Sequence, residues 1–183
     1  GASRRRAGGQ VEVGPDLRLA LVPLPVVTTV AGQGRGALLD RLVNAAGVIR
    51  SEATIQSDVR MLLLDPHLGL AEESLDVQLE TPVGNRRRID VEVGRTVIEV
   101  KRSLATPAAV QSALGQLADY VMTRSAEIGQ RYVGILTDGR LWIAYHEVDG
   151  GLREATRITA AGGEAGAEPL LTWLEGVLAT RRA

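Results

Sequence analysis

Residues 87 to 101, Arg-Arg-Ile-Asp-Val-Glu-Val-Gly-Arg-Thr-Val-Ile-Glu-Val-Lys, alternate polar and apolar side chains over Arg88–Val93 before Gly94-Arg95 and over Ile98–Lys101 after it. A period of two flanking a two-residue loop is the pattern of a β-hairpin, and glycine in the first loop position suits a type II′ turn. Such a turn fixes the register, because a slip of one residue would turn every side chain to the wrong face. Val93 then faces Thr96, Glu92 faces Val97, Val91 faces Ile98, Asp90 faces Glu99 and Arg88 faces Lys101.

The register sorts the hairpin into two faces. Ile89, Val91 and Val93 share one with Ile98 and Val100, and this wholly apolar face belongs in a core. The other face gathers Arg88, Asp90, Glu92, Glu99 and Lys101. Opposed residues hold their Cβ atoms about 4.5–5.5 Å apart, so Asp90 and Glu99 repel unless a cation or a proton lies between them. One or two carboxylates with retained waters are what Mg²⁺ prefers. A bound metal stabilises charge on an attacked phosphate and lowers the pKa of water. Lys101 follows Glu99 on the same face at about 6–7 Å, within reach of such a water. These are the pieces for in-line phosphodiester hydrolysis. The bland alternative is a solvated face on which Arg88 and Lys101 neutralise the acids.

Composition sharpens the choice at one residue. All but one of the 21 basic residues are arginine, and the exception is Lys101. Arginine is not deprotonated in proteins, whereas a lysine near burial and charge shifts its pKa and relays protons. The net charge of −1 is not that of a typical nucleic-acid binder. A local patch remains, since Arg86, Arg87, Arg88, Arg95 and Arg102 cluster around the motif. There is no cysteine, which excludes disulfides and thiolate metal sites and favours a cytoplasmic setting. No apolar run approaches the roughly 18–20 residues that span a bilayer.

Along the chain, Gly1-Ala2-Ser3 reads as a tag scar, residues 1–10 as disordered, and 11–30 as an irregular lead-in broken by Pro15, Pro23 and Pro25. Helices are expected over Arg35–Ala46 and from Ser51 to about Leu64, where Glu52 lies one turn before Ile55. A strand around Leu75–Leu79 precedes a turn at Pro82-Val83-Gly84-Asn85 and the hairpin. Thr106-Pro107 supplies an N-cap and first-turn pair for a helix to about Arg124. Strands follow at Tyr132–Thr137 and Leu141–Val148 around the turn Asp138-Gly139-Arg140. Residues 150–166 read as mostly loop with a short strand at Ala155–Thr159, and Pro169–Ala179 as a closing helix. A strand–helix–strand unit at 96–137 gives parallel strands. The expectation is one α/β domain over residues 11–183, with a mixed sheet, flanking helices and a core at about 50–148. The chain is consistent with a domain excised from a larger protein.

Residues 50–147 resemble the PD-(D/E)XK nuclease superfamily, and most of all the N-terminal nuclease domain of type I restriction motor subunits and related defence nucleases. The resemblance runs through Glu52 on a helix before the hairpin, Asp90, Glu99-Val100-Lys101, and Gln116-Leu117-Ala118-Asp119-Tyr120 on the next helix. It implies a restriction-endonuclease-like αβββαβ core. It implies Mg²⁺, with Mn²⁺ as a substitute, held by Glu52, Asp90, Glu99 and the carbonyl of Val100. Lys101 and Gln116 would serve the reacting water or phosphate beside Asp90 and Glu99. Tyr120, Arg88 and Arg102 would touch DNA. Gly134-Ile135-Leu136-Thr137-Asp138-Gly139-Arg140-Leu141-Trp142 is similar to the scaffold hairpin of the restriction-type domains, where Trp142 belongs to the core. Ile89 replaces the proline that names the family, and Glu92 is an extra acid that either joins the metal site or pairs with an arginine, the second being the favoured reading.

The activity implied is a Mg²⁺-dependent deoxyribonuclease, an endonuclease of restriction or phage defence. The alternatives are a repair or recombination nuclease, and a non-catalytic nucleic-acid-binding regulatory domain on the same fold. DNA is the partner implied, with a helicase or methyltransferase domain or subunit beside it, or a second copy of the chain, and no membrane. His67 and His146 lack a second histidine at ligand spacing, and Gly32-Gln33-Gly34-Arg35-Gly36 lacks a phosphate-loop pattern and reads as a flexible helix entry.

Overall fold

The computed structural model describes residues 28–68, 77–83 and 87–179. The order is α1 (Thr28–Leu42), α2 (Glu52–Leu63), a 3₁₀ turn (Pro66–Leu68), β1 (Val77–Val83), β2 (Arg87–Val93), β3 (Thr96–Val100), α3 (Pro107–Ile128), β4 (Val133–Thr137), β5 (Leu141–Val148), β6 (Gly151–Thr159) and α4 (Gly163–Ala179). The expected tag remnant, the lead-in up to residue 27, Leu75 and the Gly84-Asn85 half of the expected turn lie outside the described residues, whereas Pro82 and Val83, expected in that turn, continue β1 and pair with Arg88 and Arg87.

The protein is α/β. Its strands form one mixed sheet in the order β1-β2-β3-β4-β5-β6. Among the described strands only β3 and β4 run parallel, as the helical crossover between them requires. Adjacent residues of a strand face opposite sides, so two cores form. Val91, Val93, Ile98, Val100 and Ile135 pack with α1, α2 and α4. Val97, Leu136 and Ile143 pack with Ala113, Leu117, Tyr120 and Val121 of α3. Trp142 is fully buried and donates its indole N–H to the Gly139 carbonyl, a scaffold role as expected.

Local chemistry accounts for the elements around the site. Ser51 caps α2 by accepting the Thr54 N–H at 3.1 Å. Thr106 caps α3 through Ala109, with Pro107 in the first turn. That helix runs a turn beyond Arg124 and stops where Gly129 takes a left-handed conformation. Gly94 has φ of 53° whereas Arg95 is not among the positive-φ residues, which is the signature of the expected II′ turn.

Three expectations fail. Helix α1 begins at Thr28 rather than Arg35, and Gly32–Gly36 lies inside it. A Cβ on Gly36 would stand 3.0 Å from the Glu164 backbone, so this glycine serves the α1–α4 contact rather than a flexible entry. Residues 150–166 are not mostly loop. β6 spans Gly151–Thr159 at the sheet edge with mostly exposed side chains, so no apolar alternation marks it. The turn before it, Asp149-Gly150, has positive φ at both residues, as a type I′ hairpin demands. Helix α4 starts at Gly163 and carries Pro169 inside rather than at its start.

Candidate active site

The hairpin register is observed at Val93–Thr96, Glu92–Val97 and Val91–Ile98, where the pairing ends. Asp90 does not pair with Glu99, nor Arg88 with Lys101. Instead the Asp90 Oδ2 accepts the backbone N–H of Val100 at 2.8 Å. The side chain takes a ladder bond that a backbone carbonyl would otherwise fill, and the strands separate there. The separation turns Ile89 over: it packs with the α3 cluster, not beside Val91 and Val93 as strict alternation predicts. The acidic face of the hairpin is not solvated either. Glu92 and Glu99 are 5% and 2% exposed, on the side that α3 covers.

Where β2 and β3 part, acids from three segments approach. Glu52 is the first residue of α2, and its Oε1 accepts the Arg102 N–H at 3.2 Å. Lys101 donates from Nζ to the Glu99 Oε1 at 2.5 Å. The other oxygen of Glu99, Oε2, is buried without a hydrogen-bond partner. Burial, then the negative charge of Asp90 and, least, that of Glu52 raise the Glu99 pKa to about 7 against the pull of Lys101. For Lys101, burial acts downward, but the Glu99 hydrogen bond and the charges of Glu99, Glu52 and Asp90 outweigh it and hold the ammonium above its ordinary value. Lys101 is therefore charged at neutral pH.

Glu52, Lys101 and Arg102 line a cleft of about 370 Å³ with Ser103 and, from α3, Ala109, Ser112 and Ala113. Among the described residues no group of three His, Asp or Glu side chains is gathered as a ready ion cage. The hydrogen bonds explain this, since Glu52, Asp90 and Glu99 are each held by a separate donor. Closing them about a cation means exchanging those donors for ion–oxygen contacts. The donor set suits a hard divalent cation nonetheless. All its groups are oxygens, and the orphaned Glu99 Oε2 is a desolvated acceptor that such an ion would satisfy.

The remaining predicted residues fall as follows. Val100 is fully buried beside the site, with its N–H donated to Asp90. Gln116 lies on α3 and is exposed, with no hydrogen bond to the acids. Tyr120 is 4% exposed within the α3 core, so its ring packs the fold and offers no surface to DNA. Arg102 is exposed beside the cleft. Arg88 pairs through its backbone with Pro82, and its side chain lies outside what the structure describes. Glu92 has its arginine: the Arg124 Nε and Nη2 donate to Oε1 at 2.9 and 2.8 Å. His67 and His146 are exposed and apart from the site.

Sequence reasoning missed Asp138. Its Oδ2 accepts the Leu104 N–H at 2.8 Å, while Oδ1 accepts those of Arg140 and Leu141. One side chain thus ties the loop after Lys101 to the β4–β5 turn. An aspartate opening a tight turn was a visible signal, but nothing in sequence names Leu104 as its second partner. No described helix is long and apolar enough to cross a membrane. Comparison with known proteins found no matching family model, no matching curated protein and no matching solved structure.

Proposed function

We propose that the chain is a Mg²⁺-dependent nuclease of restriction-endonuclease-like fold that hydrolyses DNA phosphodiester bonds, and that it acts as an endonuclease in restriction or phage defence. The observation that carries this reading is the desolvated Glu99, flanked by Asp90, Glu52 and the chain's one lysine where the β2–β3 hairpin opens. Ordinary surface acids are not assembled this way, and strongly perturbed groups at a cleft mark candidate sites. The order helix, three antiparallel strands, helix, parallel strand over residues 52–137 supports the fold assignment.

Glu52, Asp90, Glu99 and the Val100 carbonyl would hold Mg²⁺, or Mn²⁺ in its place. When bound, the ion would supply positive charge to the scissile phosphate and acidify water. The protein's own groups do the rest. A water attacks phosphorus and gives up one proton to bulk solvent, the P–O bond to the leaving strand breaks, and the departing oxygen takes up a proton. Lys101 at the mouth of the site is the group that positions water and manages that proton. Its ammonium is held high by the surrounding acids. Once those charges are neutralised, burial is the influence that remains, and Nζ releases its proton more easily. Gln116, on the open face of α3, orients water or phosphate, and Arg88 and Arg102 contact the DNA backbone. A helicase or methyltransferase partner, or a second copy of the chain, would supply sequence choice and the second cut.

The test is incubation of closed-circular and linear DNA with Mg²⁺ or Mn²⁺, comparing the wild type with Lys101→Ala and Asp90→Asn. Nicking of the closed circle by the wild type alone is expected. Cleavage of linear ends only would favour a repair or recombination exonuclease. Cleavage unaltered by both substitutions would remove these residues from the site. No cleavage of DNA, with no metal binding by calorimetry, would leave a regulatory nucleic-acid-binding domain.

A further inference from the structure

Beyond the cleft that Glu52 and Lys101 line, and sharing Arg102 and Ser103 with it, a second cleft of about 490 Å³ runs to the β4–β5 turn. We infer that this second cleft, lined by Arg50, Arg102 and Arg140, binds the phosphate backbone of the DNA strand next to the scissile bond. The inference rests on the nuclease reading for what lies in the first cleft and extends it to residues that the motif does not include.

The charge balance of the lining carries the argument. Its one acid is Asp138, and both oxygens of that side chain already accept backbone N–H groups, from Leu104, Arg140 and Leu141. Arg50 donates to the carbonyls of Arg41, Leu42 and Asp138, neutral acceptors that orient its guanidinium without cancelling its charge. Arg102 and Arg140 are exposed and in no ion pair among the described residues. Arg35, Arg41, Arg124 and Arg157 differ, each bound to a carboxylate. A chain of net charge −1 attracts a polyanion only where it leaves arginines unneutralised together, and this cleft does so beside the acids. Arginine forks suit phosphate oxygens. Arg50 holds the end of α1 against the β4–β5 turn, so the walls are fixed before any ligand arrives. Gly139 permits that closeness, since a Cβ there would meet the Leu42 carbonyl at 2.4 Å.

Arg140 is the residue to test. Its N–H is held by Asp138 and its carbonyl accepts from Ala160, and both bonds survive loss of the side chain. Binding of a short fluorescein-labelled duplex is measured by anisotropy in EDTA, which separates binding from cleavage, over a series of salt concentrations. Arg140→Ala is expected to weaken binding equally for unrelated sequences and to reduce the slope of log affinity against log salt by about one. Arg140→Lys should recover most of the slope. Arg153→Ala, an exposed arginine on β6 outside the cleft, should change little. An Arg140→Ala slope equal to wild type, or an equal loss in Arg153→Ala, would overturn the inference. A wild type that binds through Arg140 yet never cuts would sink the nuclease reading and leave the cleft. A wild type that binds no DNA overturns both.

Discussion

Glu92 and Glu99 sit on neighbouring strands of one hairpin, both under α3, both almost without solvent, and each with one oxygen lacking a hydrogen-bond partner. Their surroundings differ in sign. Glu92 meets Arg124 through two nitrogens and the Tyr132 hydroxyl at 3.3 Å, and Arg124 also lies over the Tyr132 ring. Glu99 meets one flexible ammonium and two further carboxylates. The first arrangement is a closed ion pair that holds α3 to the sheet. The second has an excess of negative charge that a cation would relieve. Equal burial thus leaves the two acids in opposite electrostatic settings, set by the net charge of their neighbours.

The contrast is broken most directly by removing each base. Lys101→Ala is expected to lower the DNA cleavage rate by about 10²–10⁴-fold, the range for losing a proton-transfer group, with a smaller loss in a urea melt than Arg124→Ala, because Glu99, its pKa already near 7, takes up a proton once the ammonium is gone. Lys101→Arg should be nearly as inactive, because arginine keeps the charge and cannot release the proton. Arg124→Ala should do the reverse, costing about 3 kcal/mol of stability by leaving Glu92 buried without its cation, while the folded fraction still cuts. Loss of cleavage in folded Arg124→Ala would show that the two acids form one site.

The pH dependence of stability separates them next. With its folded pKa near 7 and an ordinary value of 4.5, Glu99 binds its proton more tightly in the folded protein than in the unfolded chain. Stability therefore falls as pH rises from about 4.5 to about 7, and the loss persists above that range. A shift of this size corresponds to about 3 kcal/mol. Comparing urea midpoints of wild type and Glu99→Gln across that range should show the slope in the wild type only. Parallel curves would mean that Glu99 is not the desolvated acid described. Mg²⁺ should offset the loss above pH 7, adding about 2.7 kcal/mol at a hundredfold excess over its dissociation constant. Asp90→Asn should lose that gain, as read by the melting temperature with and without the ion.

Sequence made the hairpin legible because two local rules, side-chain alternation and a glycine-first turn, acted together. They gave the strand limits of β2, the turn type and three cross-strand pairs. They failed at Asp90, because a side chain replaced the backbone as acceptor for Val100, and alternation assumes an unbroken ladder. Tyr120 was misjudged for a related reason. Helical spacing puts Gln116 and Tyr120 on one stripe, but it does not say how deep each residue sits, and α3 tilts one into the core and leaves the other outside. The arginine partner of Glu92 was foreseen as a type, yet Arg124 lies 32 positions away, and only the packing of α3 brings it there. β6 was foreseen only over its second half, Ala155–Thr159, because an edge strand needs no apolar face to pair.

The smallest test asks how much of the Glu92 centre is hydrogen bonding and how much is charge. Tyr132→Phe removes the hydroxyl but keeps the ring on which Arg124 rests, so the cation stays in place over the same face. The lost bond is long, and Arg124 still supplies two donors to the same oxygen. The expected cost is about 0.5–1 kcal/mol, with cleavage unchanged. A cost of several kcal/mol would mean that the hydroxyl rather than the guanidinium carries the centre. A changed cleavage rate at unchanged stability would mean that the charge at Glu92 is felt along β2 at Asp90, and the division between the structural and the reactive acid would have to be redrawn.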